Sequence, residues 1–178
     1  NAVDQDMIDA IIAAGQEVAV SDARVVVLSG EGKAFCAGID ITGLSAMIGK
    51  DPAELIMPRT HGDGTTNQWQ EAAMIWARLD IPVIAALHGA TYGAGMQIAL
   101  GADIRIAAPD TKLAIMEMKW GIVPDMGGMV LLPRLVRDSN CAGNHNRRQK
   151  PKRHTHGQTS DFIRTNCVSG GGSGRGIA

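Results

Sequence analysis

An α/β fold is expected from this chain on three grounds. Short β-branched runs alternate with longer stretches of helical period. The alternation persists to about residue 138, which reads as α/β. Gly and Pro stand at the joints. Of the 178 residues, 45% are hydrophobic and 20% charged, which is globular usage. Only 3% are aromatic, so Val, Ile, Leu, Met and Ala must build the core. The length allows one domain.

Asp4 or Asp6 can cap a first helix, in which Met7, Ile8, Ile11, Ile12 and Val18 recur near helical period. Residues 24–29 (RVVVLS) are short and β-branched, hence a buried strand. Gly30-Glu31-Gly32 turns the chain into residues 35–41. Residues 49–66 carry Gly, Pro and Thr without a period and predict a mobile loop. Residues 67–79 predict a helix with Trp69, Ala73, Trp76 and Ala77 on one side, ended by Asp80-Ile81-Pro82. Then follow a strand at 83–87, a helix at 92–100, and strands at 103–107 and 112–115. A loop through Gly121 and Pro124 leads to a helix that begins at Met126 and breaks at Pro133.

The character changes after about residue 138. Residues 1–140 hold 10 Lys/Arg and 17 Asp/Glu, whereas residues 141–178 hold 7 Lys/Arg and one acid, Asp161. The segment 139–178 lacks a period and ends in Gly and Ser, so it is expected to be an irregular tail. A basic run can bind nucleic acid. No aromatic-basic interleaving accompanies the charge, which favours an irregular terminus without that role. The chain opens abruptly in the approach to a helix, which reads as a fragment boundary. No signal peptide and no apolar run of membrane-spanning length is expected. Cys36, Cys141 and Cys167 form no CxxC pair, so a reducing, cytoplasmic setting is expected. His154-x-His156 lacks metal-ligand spacing with these cysteines, so no metal site is expected.

Two segments carry chemistry. In residues 81–107 (IPVIAALHGATYGAGMQIALGADIRIA) an apolar strand runs into a turn of small residues and then an apolar helix. A helix start leaves N–H groups unpaired at the positive end of the dipole, where an anion or a polarised carbonyl is the natural guest. Tight helix–strand packing without a ligand would need the same small residues. The spacing G-x-x-x-G-x-G is not that of a dinucleotide fingerprint. Residues 35–40 (FCAGID) form a second small-residue turn after a strand. Two such turns brought together can hold one oxyanion with main-chain donors alone.

At this point the chain resembles the crotonase superfamily, also called the enoyl-CoA hydratase/isomerase family. The resemblance rests on SGEGKAFCAGIDI (29–41), on residues 81–107, and on MEMKWGIVPDMGG (116–128) with LPRLV (132–136). It covers about residues 1–138. It implies a crotonase-like spiral of repeated ββα units, incomplete here at both ends, and assembly as a homotrimer or hexamer. It implies a coenzyme A thioester as substrate, with no separate cofactor. The backbone amides of Ile39 and Ala94 match the family's oxyanion hole. Ala37, Asp40 and Ile41 match positions lining the acyl and adenine ends of the CoA site, and Tyr92, Gly93 and Pro124 match further substrate contacts. Lys33 matches a place near the nucleotide phosphates, and a solvated loop lysine is its other reading.

The acid/base residues depart from the hydratase pattern. Family hydratases use two glutamates. One matches Glu117, whereas the other position holds Gln97, which carries no titratable proton. Asp125 matches an aspartate of dienoyl-CoA isomerase-like members, although Pro-Asp before an apolar run also reads as a helix cap. Glu117 and Asp125 are therefore expected to flank an acyl chain at the same cavity as Ala94, one taking a proton and the other returning it. An enoyl-CoA hydratase in which Gln97 holds the water is the alternative, and an inactive fragment that only binds a partner is a third reading.

Overall fold

The computed structural model describes residues 1–44, 49, 51–136 and 167–169. Helix α1 (Gln5–Ala19) starts at Asp4, whose side chain accepts the Met7 amide. Ile8 and Ile12 on its inner face are buried, as the helical spacing requires. Strand β1 (Val26–Ser29) follows, then the short helices α2 (Ile41–Leu44) and α3 (Pro52–Ile56). Helix α4 (Gln68–Met74) opens on a full capping box: Asn67 accepts the Gln70 amide and the Gln70 side chain accepts the Asn67 amide. A 3₁₀ turn over Trp76–Arg78 ends that helical stretch.

The second half alternates more tightly. Strands β2 (Val83–Leu87) and β3 (Ala90–Tyr92) precede helix α5 (Ala94–Leu100). Strands β4 (Ile104–Ala107) and β5 (Lys112–Ala114) come next, then helices α6 (Glu117–Trp120) and α7 (Gly128–Leu135), and strand β6 (Cys167–Ser169). The main sheet is parallel in the order β1-β2-β4-β6, with Val26 opposite Val83 and Ile84 opposite Ile104. A second sheet pairs β3 with β5, also in parallel.

One face of the main sheet supplies the core. Val83, Ala85 and Leu87 point into a cluster with Ile8, Ile12, Phe35, Trp76, Ala94 and Ile98. The other face shows Val27, Ile104 and Ile106 to solvent. Arg105 alternates inward and is 2% exposed. Its guanidinium donates to the carbonyls of Ala99, Ala102 and Asp103. It thereby satisfies the orphan acceptors beyond α5 and lays positive charge on the negative end of that helix.

Several expectations need correction. The stretch 49–66 contains α3, because Asp51 accepts the Ala53 amide and Pro52 is preorganised for a first helical turn. Tyr92 ends β3 and does not begin the next helix, because its amide pairs with the Cys36 carbonyl. The expected loop through Gly121 contains α6, a single turn too short to show a period. Helix α7 runs through Pro133 to Leu135; only one main-chain donor is forgone. Of the segment 139–178, only β6 is among the described residues. It pairs with β4, where an irregular chain was expected. The rest of that basic segment, with Cys141, His154 and His156, lies outside the described residues. Among the described residues, no helix is long and apolar enough to cross a membrane.

Candidate active site

The two small-residue turns meet. Cys36 and Thr91 form a parallel bridge, in which the Cys36 amide donates to the Ala90 carbonyl at 3.0 Å and the Tyr92 amide donates to the Cys36 carbonyl at 2.9 Å. Ile39 and Ala94 each lie three residues downstream of that bridge on adjacent, parallel chains. Beyond the bridge the turns stay adjacent: a Cβ built on Gly38 would lie 3.3 Å from the Tyr92 carbonyl oxygen. Residues 1–3 brace the first turn. The Val3 amide donates to the Gly38 carbonyl at 2.8 Å, and the Asp40 amide to the Val3 carbonyl at 2.9 Å. The Ala37 amide is taken by the Asn1 carbonyl. Among the described residues, no protein acceptor meets the Ile39 or the Ala94 amide.

The second turn is shaped for close approach. Gly93, immediately before α5, has φ 51° and ψ −117°, a combination that side chains beyond hydrogen resist. A Cβ built there would lie 3.4 Å from Glu117 Oε1. The turn that presents the Ala94 amide therefore backs directly onto the Glu117 carboxylate. Glu117 is buried at 9% exposure. Its Oε1 accepts from Gln97 Nε2 at 2.8 Å, while its buried Oε2 has no hydrogen-bond partner. An unpaired buried acceptor is costly unless a ligand or reacting group uses it.

A model of the enoyl-CoA hydratase/isomerase family matches residues 1–143. The chain belongs to the enoyl-CoA hydratase/isomerase family. A protein of Mycobacterium tuberculosis (strain H37Rv) named a probable enoyl-CoA hydratase is 39% identical over 115 residues, 65% of this chain and 41% of that protein. The human mitochondrial Delta(3,5)-Delta(2,4)-dienoyl-CoA isomerase is 33% identical over 120 residues, 65% of this chain and 36% of that protein. The crystal structure of an enoyl-CoA hydratase from Thermoplasma volcanium aligns with TM-score 0.66 and 34% identity, covering 80% of this chain and 53% of the other. The chain thus spans about two-fifths of the length of hydratase relatives that it matches.

Within this family member, the other expected site residues fall into two groups. Tyr92 is half-buried, and Gly93 and Pro124 are buried; Gly93 stands beside Glu117. Pro124 lies close to Gly128, whose would-be Cβ meets it at 2.9 Å. Lys33, Ala37 and Ile41 are exposed, and Ile41 is 79% so. Asp40 accepts from the Thr42 hydroxyl at 2.7 Å and the Thr42 amide at 2.8 Å. These bonds favour the ionised form and hold its carboxyl below the usual range. They fix the loop beyond Ile39 as an Asx-type turn.

Asp125 lies three residues before the first residue of α7. It is exposed and lines a cleft of about 360 Å³ with Arg59, Thr65, Thr66, Gln70 and Met74. Neither Glu117 nor Ala94 lines that cleft. Gly127 lines the cleft, and the adjacent Gly128 amide donates to Gln97 Oε1, whose Nε2 in turn reaches Glu117. The helix-cap reading of Asp125 fails, because α7 is preceded by Gly127 without a side-chain cap. Arg59 escaped the sequence reading because it sits in a segment without periodicity. Its guanidinium donates to the Thr65 carbonyl at 3.0 Å. Buried Thr66 and Glu71 bond each other, Glu71 also binds the exposed Arg78, and the network ties the same segment to α4.

Cys36 sits behind the first turn at 7% exposure. Burial pushes its thiol above the usual range, against the pull of the Gly38 backbone amide. Its side chain should resist alkylation in the native protein and react once denaturant exposes it. Peptide mass spectrometry after timed iodoacetamide treatment checks this; fast native-state labelling of Cys36 would contradict it. No group of three His, Cys, Asp or Glu side chains could hold a metal ion among the described residues.

Proposed function

We propose that this chain catalyses proton transfer next to the carbonyl of a coenzyme A thioester, as an isomerase that moves a double bond along the acyl chain. One observation carries the reading: a buried carboxylate with an unpartnered oxygen abuts the turn that presents an unpaired helix-start amide. Glu117 Oε2 takes a proton from the carbon beside the thioester carbonyl. The electron pair passes into the carbonyl, and the Ile39 and Ala94 amides hold the enolate oxygen. Each such donor is worth roughly 3 kcal/mol in comparable sites. Asp125, reached along the acyl chain past Gly127, returns a proton at the far carbon of the allylic unit. The double bond has then moved, and exchange with water resets both carboxyl groups.

Substrate contacts belong to the residues expected around this centre, from exposed Ala37 and Ile41 to buried Gly93 and Pro124. Ala37, Asp40, Ile41, Tyr92, Gly93 and Pro124 contact the thioester and its coenzyme A portion, with Lys33 near the phosphates. Coenzyme A enters as part of the substrate. Assembly into a trimer or hexamer belongs to the same reading. It is supported by the exposed Met118, Trp120, Ile122, Val123, Met129 and Val130 along α6 and α7, an apolar set that a monomer leaves wet.

The test is a panel of 2-enoyl-, 3-enoyl- and 3,5-dienoyl-CoA thioesters in deuterated buffer, followed by NMR. The expected result is double-bond migration with deuterium entering the acyl chain, slowed by Asp125→Asn. Brisk hydration of 2-enoyl-CoA, insensitive to Asp125→Asn, would overturn the isomerase reading in favour of a hydratase.

A further inference from the structure

Gln97 is spent on the protein itself. It lies in the middle of α5 at 2% exposure. Its Nε2 donates to Glu117 Oε1 at 2.8 Å, and its Oε1 accepts the Gly128 amide at 2.9 Å. These two bonds join three elements in one line: the first residue of α6, the centre of α5 and the first residue of α7. We propose that Gln97 is a positioning residue, a two-ended bracket that anchors Glu117 Oε1 to the start of α7 and leaves Oε2 as the reacting oxygen. The inference rests on the acyl-CoA reading above and goes beyond it, because it assigns Gln97 neither a proton nor a water.

The physical reason lies in what each end can do. A carboxylate has two equivalent oxygens and rotates about its last torsion unless one is held. The amide supplies one donor and one acceptor, and the main chain supplies the fixed partner. A glutamine is suited to this bracket because it donates to a carboxylate and accepts from a backbone N–H without changing charge. Both bonds are buried, where a lost partner is not replaced by water. Gly128 is also packed tightly: a Cβ there would lie 2.9 Å from Gln97 Oε1. The anchor end therefore has little room to move.

The decisive readout is enolate formation, measured as deuterium uptake at the carbon beside the carbonyl of a saturated acyl-CoA such as butyryl-CoA. Wild type should exchange that proton. Gln97→Met keeps the length but removes both bonds, and should slow exchange by about 10–100-fold in kcat with KM little changed, the scale of a misplacement near 1 Å. Gln97→Glu, with nearly the same shape, guards against a folding artefact. Its introduced carboxyl can bridge Glu117 only while one of the two holds a proton. Its exchange rate, relative to wild type, should recover as the pH falls toward the carboxyl range, which a purely structural filler would not produce. If wild type exchanges and Gln97→Met keeps pace with it, the bracket falls and the acyl-CoA reading stands. If wild type itself exchanges nothing, the acyl-CoA reading falls and the bracket with it.

Discussion

Glu117→Gln should lower isomerisation of an unsaturated acyl-CoA by about 10²–10⁴-fold, the usual weight of a general acid–base group. The substitution is nearly isosteric and keeps an acceptor for Gln97 Nε2, so folding should survive. What it removes is the proton-accepting capacity of the buried, unpartnered Oε2. The loss should appear in kcat and in kcat/KM alike, because the proposed ground-state contacts of the thioester with Ile39 and Ala94 are untouched. Steady-state assays of wild type and variant on one 3-enoyl-CoA, with circular dichroism to check the fold, make the comparison. A variant that keeps more than a tenth of wild-type turnover would show that another group carries the proton.

The sequence made the framework legible where local chemistry is strong. Residues 83–87 emerge as β2 with the expected bounds, because an apolar β-branched run between Pro82 and His88 admits little else. Asp4 caps α1, one of the two residues expected to do so, because only its carboxylate is placed to accept the Met7 amide. The pairing of residues 35–40 with the turn before α5 was also readable, since both are small-residue turns at strand ends. What stayed hidden depends on partners without a sequence signature. The Gly128 amide that anchors Gln97 is a main-chain donor, and any residue type would have offered it. The cleft beside Asp125 draws its walls from α4, from α7 and from the Arg59 segment, which only the tertiary fold brings together. Single-turn helices such as α6 bury too little to impose a period. The strand β6 borrows its order from the edge of β4 rather than from its own composition.

Gly95→Ala should destabilise the protein and reduce activity further than the lost stability explains. Gly95 is the second residue of α5, and its missing side chain makes room for the first turn. A Cβ built there would lie 2.5 Å from Cys36 Cβ, 2.7 Å from the Cys36 carbonyl oxygen and 2.8 Å from its Sγ. Real Cβ atoms do not approach backbone that closely, so either α5 or the Cys36 segment must shift. Overpacking of this kind costs about 1–3 kcal/mol, or roughly 3–10 °C in Tm for a chain of this size. The shift falls on the Cys36–Thr91 bridge itself, three residues before both Ile39 and Ala94. Moving one of the proposed oxyanion donors by about 1 Å costs on the order of 10²-fold in rate. Thermal melting and deuterium exchange of butyryl-CoA, measured on the same preparation at a temperature where the variant is folded, separate the two effects. A variant that melts early yet exchanges at the wild-type rate would mean that the two turns do not share the oxyanion, whereas unchanged melting would contradict the close packing of α5 on Cys36.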